Sequence, residues 1–263
     1  MSTAYISHTD CLRHEMGRHH PECPERLQAI EDQLILSRID YFFTRIDPPL
    51  ASEDQLALVH TKDHIEKIKS HAPQEGYYSI DGDTTMNPYT WQAALRSAGG
   101  AIAAVDAVMS GQVKNAFTCL RPPGHHAEPN QAMGFCFFNN VAIAAKHALE
   151  HYGLERVAVI DFDVHHGNGT EAAFKADPRV LMCSYFQHPF YPYSGADLDL
   201  PNMLNVPLPA YAGGDAVREV VELQWLPRLR EFKPQFIFIS AGFDAHREDD
   251  MGQMGLVESD YAW

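Results

Sequence analysis

An α/β fold with a mainly parallel sheet and helices on both faces is predicted by two features of the sequence. Short apolar, β-branched or aromatic runs alternate with amphipathic helical stretches along most of the 263 residues. Two of those runs end in polar motifs, Asp161-Phe162-Asp163-Val164-His165-His166-Gly167-Asn168-Gly169 and Ser240-Ala241-Gly242-Phe243-Asp244. Open α/β sheets build their sites where strands end.

The elements follow in order. Residues 3–7 read as a first strand, and Pro24 to Ser37 as a helix, with Leu27, Ile30, Leu34 and Ile35 at helical spacing. Between them lies a loop rich in His and Pro. Ser52 caps a short helix, Glu53 to His60, whose first turn carries Glu53 and Asp54 at the positive end of the dipole. Lys62–His71 is a further helix, and Pro88 opens a long one through Ser110, because proline's missing N–H costs nothing in the first turn. A strand at Ala116–Leu120 leads into a Gly/Pro-containing loop and a helix from Val141 to His151. Then come a strand at 157–163, a helix at Thr170–Lys175, a strand at Val180–Tyr185 and a short strand near Leu204–Val206. A helix over roughly Asp215–Phe232, a strand at Phe236–Ser240 and a helix beginning at Ser259 complete the chain. Such alternation implies right-handed crossovers and parallel pairing.

With 45% hydrophobic residues, no linker, no repeat and no low-complexity stretch, the chain reads as one domain over 1–263. Its five cysteines are odd in number and lack a C-x-x-C pairing, which fits free thiols in a reducing compartment. The N-terminus has no basic segment followed by an apolar one, and Asp106 interrupts the most alanine-rich helix, so no membrane span is predicted and a cytoplasmic location is expected. A net charge of −15 argues against a non-specific nucleic-acid binder.

Alternation along a strand would put Asp161, Asp163 and His165 on one face at the end of the 157–163 run. Like charges that close need a cation. With Asp244 from the later run, two carboxylates and one imidazole make the ligand set of a hydrolytic metal with an open position; zinc fits it, and iron(II) also suits an O,O,N set. The loop Arg121-Pro122-Pro123-Gly124-His125-His126-Ala127-Glu128 offers two adjacent proton carriers for acid–base hydrolysis. Asp161 is placed to orient His125 or to hold a monovalent cation, and Asn168 to orient His126.

Six stretches carry a family resemblance: HPECPERL (20–27), LVHTKDHI (58–65), RPPGHHAE (121–128), GFCFFNN (134–140), DFDVHHGNGT (161–170) and SAGFDAHRED (240–249). In this order and spread they resemble the histone deacetylase superfamily, closest to its class II members and bacterial relatives. The resemblance implies an arginase-like α/β fold and a zinc-dependent amidohydrolase acting on acylated lysine side chains or small acylated amines. By motif position it implies Asp163, His165 and Asp244 as metal ligands, His126 as general base and later acid, and His125 as an electrostatic stabiliser oriented by Asp161. Asp161 and Ser184 would form a monovalent site for K+ or Na+. Gly134, Phe135 and Tyr191 would wall the tunnel for the acyl-amine stem, and Asp83 would grip substrate backbone at the rim. Polyamine-preferring relatives place a glutamate where this chain has Met251, which favours acyl-lysine over acetylpolyamine. The family's Gly-Gly-Tyr segment, whose tyrosine polarises the scissile carbonyl, lies beyond the last residues Tyr261-Ala262-Trp263, so the resemblance implies a domain missing its C-terminal part. A domain that binds metal and acyl ligands without turnover is the alternative, and a binuclear arginase-type hydrolase a third reading.

Overall fold

The computed structural model describes residues 2–263, which form two compact units, one up to Tyr152 and one from Gly153 onward. The first unit runs β1 (Thr3–Ile6), α1 (Glu25–Leu36), β2 (Phe43–Ile46), α2 (Glu53–Leu56), α3 (Lys62–Ser70), β3 (Tyr78–Ser79), β4 (Thr85–Met86), α4 (Thr90–Met109), β5 (Asn115–Thr118) and α5 (Asn140–Glu150). β1 is the centre of a three-stranded parallel sheet, order β2-β1-β5, in which Tyr5 pairs with Arg45 on one side and Phe117 on the other. The chain crosses from one side of β1 to the other between β2 and β5, so polar loops gather at the strands' carboxyl ends. β3 and β4 make a small antiparallel hairpin.

The second unit runs β6 (Val157–Asp161), α6 (Asn168–Phe174), β7 (Val180–Gln187), β8 (Met203–Leu208), α7 (Gly214–Val220), α8 (Leu226–Phe232), β9 (Phe236–Ser240) and α9 (Glu258–Ala262). Its four-stranded sheet is parallel throughout, order β8-β7-β6-β9, with β6 and β7 buried along nearly their whole length. Strands covered on both faces need continuous apolar runs, and Val157–Ile160 and Val180–Cys183 supply them.

Most elements fall within two residues of their expected bounds. Ser52 accepts the Gln55 N–H while the Gln55 side chain accepts the Ser52 N–H, a capping box that starts α2. Three differences are instructive. The helix expected across 215–232 is divided by a π-helical segment, Val221–Trp225, between α7 and α8. β2 was not expected, because Phe43-Thr44-Arg45-Ile46 is a short mixed run that forms a strand only beside β1. β6 ends at Asp161, so Asp163 and His165 lie beyond the strand, and period-two alternation does not place them. Each unit has its own core: Leu56, Ile68, Met86, Phe137, Phe138 and Ile143 centre the first, and Leu181, Tyr185, Val220, Trp225 and Leu256 the second. Each such side chain removed from water contributes roughly 1.5–3 kcal/mol.

Candidate functional site

The segment after β6 is a series of carboxylate-capped turns. Asp161 Oδ1 accepts the Asp163 N–H at 3.2 Å, and Asp163 Oδ1 accepts the His165 N–H at 2.8 Å. These turns, rather than strand alternation, bring Asp163 and His165 together. Asp244, on the loop leaving β9, accepts the Val164 N–H at Oδ1 (2.9 Å), which aims its Oδ2 at His165. The His165 Nδ1 therefore lies 3.0 Å from Asp163 Oδ1 and 3.0 Å from Asp244 Oδ2. One ligand atom from each residue falls within 4.8 Å of the others. Two hard oxygens and one imidazole nitrogen, oriented by backbone amides, suit zinc or iron(II).

The electrostatics of the protein alone fit the same conclusion. Burial disfavours a charged His165, but the two carboxylates overcome it and hold the imidazole up to about 10. Burial and the Asp163 charge push Asp244 up to about 6. Two carboxylates this close demand a positive charge beside them. Gly242 is required here: a Cβ on it would sit 2.1 Å from Asp163 Oδ2. Asp161 is fully buried and lies opposite Ser184 in the β6–β7 register, so the two residues expected at a monovalent-cation site are neighbours. Asn168 is buried at the start of α6, its N–H donating to His166 O. Tyr191 meets the His165 ring edge-on at 6.0 Å, and Phe190, which the sequence did not single out, stacks on the same ring at 5.6 Å. Met251 is half-buried, its N–H held by Asp249, one residue before Gly252, which packs on Val164 and the Asp244 carbonyl.

In the first unit, His125 and His126 are both buried, their ring centroids 4.0 Å apart. The loop carrying them is clamped at several points. Arg121, buried, bonds both Glu22 carboxylate oxygens and donates to Cys11 O and His14 O. Burial opposes a charged Glu22, yet His14 and Arg121 hold it down to about 2. The Asn139 N–H donates to His60 Nε2 at 2.9 Å, so the His60 proton is on Nδ1, which donates to Glu128 O at 3.0 Å. His64 Nε2 donates to Phe137 O at 2.9 Å. Gly134 and Phe135 both take positive φ, 55° and 68°. The Phe135 N–H donates to Thr84 Oγ1, whose hydroxyl donates to Asp83 Oδ1, and His20 Nε2 donates to Asp83 O while its ring packs edge-on against Phe135. Phe135 and Asp83 are thus brought together, with His20 as an unforeseen third member.

The model of the histone deacetylase domain matches residues 20–263. This chain belongs to the histone deacetylase family. It is 38% identical to a histone deacetylase-like amidohydrolase of Pseudomonas aeruginosa over 97% of this chain and 73% of that protein. A protein of Archaeoglobus fulgidus described as a probable deacetylase is also 38% identical, over all of this chain and 74% of its own length. Among solved structures, the HDA15 HD domain superposes with a TM-score of 0.95 at 34% identity, covering 99% of this chain and 78% of that one. The family's arginase/deacetylase fold, expected from the six motifs, is therefore the fold of this chain.

Proposed function

We propose that this histone deacetylase-family chain is a metal-dependent amidohydrolase that removes acetyl or other acyl groups from amines, with an acylated lysine side chain as the favoured substrate class. The observation that carries the proposal is the convergence of Asp163, His165 and Asp244, with ligand atoms inside 4.8 Å, on the motifs that define the family. Those three residues would hold the ion, zinc by preference and iron(II) as the alternative. When bound, such an ion supplies positive charge that polarises an acyl carbonyl and acidifies water.

The remaining work falls to the chain's own groups. His126 takes the proton of the attacking water and returns it to the departing amine nitrogen, and His125 stabilises developing negative charge as its neighbour. Asp161 orients His125, and Asn168 orients His126; the neutral amide raises the basicity of its imidazole less than a carboxylate does. Asp161 and Ser184 also serve a structural K+ or Na+. Phe135 and Tyr191 supply apolar walls for an aliphatic stem, Gly134 gives the backbone its turn, and Asp83 accepts a substrate backbone N–H at the rim. Met251, uncharged where polyamine-preferring relatives place a glutamate, favours acyl-lysine over acetylpolyamine.

The test is a zinc titration together with an assay on an acetyl-lysine peptide and an acetylpolyamine. One ion per chain, loss of that ion in Asp163→Ala, and faster turnover of the peptide are the expected results. Metal bound at unit stoichiometry with no turnover of either substrate supports a non-catalytic binding domain instead. Two ions per chain would point to a binuclear hydrolase.

A further inference from the structure

His166 is not used by the chemistry above, yet it is among the most enclosed polar residues of the second unit, at 1% exposure. Its Nδ1 hydrogen-bonds with Ser194 Oγ at 2.8 Å, and its Nε2 lies 3.0 Å from Glu171 Oε2 on α6. The ring lies against Phe186 of β7, with centroids 4.7 Å apart. Gly195 covers it from above: with φ +84°, a Cβ there would come within 2.6 Å of the imidazole. Asn205 of β8 links the same partners, donating to Glu171 Oε2 at 2.6 Å and to Gly195 O at 3.3 Å.

Ser194 and Gly195 follow Phe190 and Tyr191 in the connection between β7 and β8, residues 188–202. At its start the His188 N–H donates to Leu208 O, and at its tip the Tyr193 N–H donates to Phe190 O at 2.7 Å. Just past the tip, Ser194 and Gly195 are held to His166 and Asn205. Consecutive histidines thereby serve two purposes: His165 presents Nδ1 to two carboxylates, and His166 ties down the loop whose aromatic rings lie on His165. Hydroxyl, imidazole and carboxylate are also the parts of a nucleophilic relay, but here Gly195 closes against the imidazole, so near that a Cβ on it would come within 2.6 Å of the ring.

We propose that His166 is a positioning residue: through Ser194 and Glu171 it fixes the Phe190–Tyr191 loop over His165 and so sets how tightly an acyl-amine stem is gripped. The effect on grip rests on the amidohydrolase reading, whereas the anchoring does not. The experiment compares the zinc-loaded chain with Ser194→Ala and Ser194→Thr. Loss of one hydrogen bond, roughly tenfold in an equilibrium, should speed amide exchange across residues 188–195 by about that factor in Ser194→Ala. The threonine variant should restore protection. With an acetyl-lysine peptide, Ser194→Ala should raise KM about tenfold, leave kcat within about threefold and keep one zinc per chain. Unchanged exchange would overturn the anchoring. Parallel loss of zinc and kcat would also overturn the proposal, since the hydroxyl would then support the ligand His165 rather than the loop. An unmodified chain that deacetylates nothing while the exchange response holds would sink the amidohydrolase reading alone. Labelling of Ser194 by a fluorophosphonate would overturn the positioning role in favour of a nucleophile.

Discussion

At the scale of single residues, the two adjacent histidines are expected to be unequal. If His126 moves the proton, His126→Ala should lower kcat by about 10²–10⁴ with zinc content unchanged, and His125→Ala should cost less. A single-turnover assay at equal metal occupancy separates them, and full activity in the His126 variant would refute the assignment. Glu22 offers a different test. Buried and bonded to Arg121, it cannot be removed without stranding a buried guanidinium, so Glu22→Ala should cost about 3–5 kcal/mol in urea unfolding. Its folded value of about 2 lies below the ordinary 4.5, so its contribution is fully present above pH 4.5 and is lost as pH falls through 2. The stability gap between the unmodified chain and Glu22→Gln should therefore close over that window. These arrangements were legible to different degrees. The convergence of Asp163, His165 and Asp244 could be read because ligand-type residues stood together at apolar strand ends. The Glu22–Arg121 pair could not, because its members lie 99 positions apart and each looks like an ordinary surface charge.

At the scale of elements, strands were legible where both faces are buried, since Val157–Ile160 and Val180–Cys183 admit no polar residue. β2 was not, because its pairing with β1 decides it rather than its composition. The tie between the turn entering α3, with α3 itself, and the segment following His125–His126 was equally hidden: His60 and His64 bond backbone groups of Glu128, Phe137 and Asn139, which leave no sequence signal. That tie carries a pH dependence. Burial, with the neighbouring His64, pushes His60 down to about 3. A proton on Nε2 would oppose the Asn139 N–H, so the folded chain holds this ring neutral. A base with a depressed folded value contributes stability fully present above its ordinary value near 6.5 and lost as pH falls toward 3, at up to about 1.4 kcal/mol per pH unit. His60→Phe keeps a ring against Phe138 and removes the titrating group. It should be less stable than the unmodified chain at pH 7.5, with a melting-temperature gap that narrows between pH 6.5 and 5. A constant gap would mean that His60 does not titrate in unfolding.

At the scale of the whole molecule, two opposing features govern behaviour in solution: a net charge of −15 and an apolar sheet edge. Among the described residues β9 pairs only with β6, and its outward side chains Ile237 and Ile239 are 51% and 63% exposed, with Phe243 just beyond them at 54%. An open strand edge with β-branched apolar side chains is a template for pairing with another chain. Like charge keeps copies apart at low ionic strength, and salt screens that repulsion over about 10 Å at 0.1 M and about 3 Å at 1 M. Self-association should therefore increase with salt, the opposite of what ion pairs between copies would give. Ile239→Lys places a charge on the open face of β9 without touching the buried Phe238 beside it, so it should suppress association at every salt concentration while leaving the melting temperature nearly unchanged. Sedimentation velocity between 0.05 and 1 M NaCl decides the matter, on the order of the screening lengths above. Association that weakens with salt would show an ionic contact rather than a sheet edge, and association that persists in Ile239→Lys would show that the contact lies elsewhere.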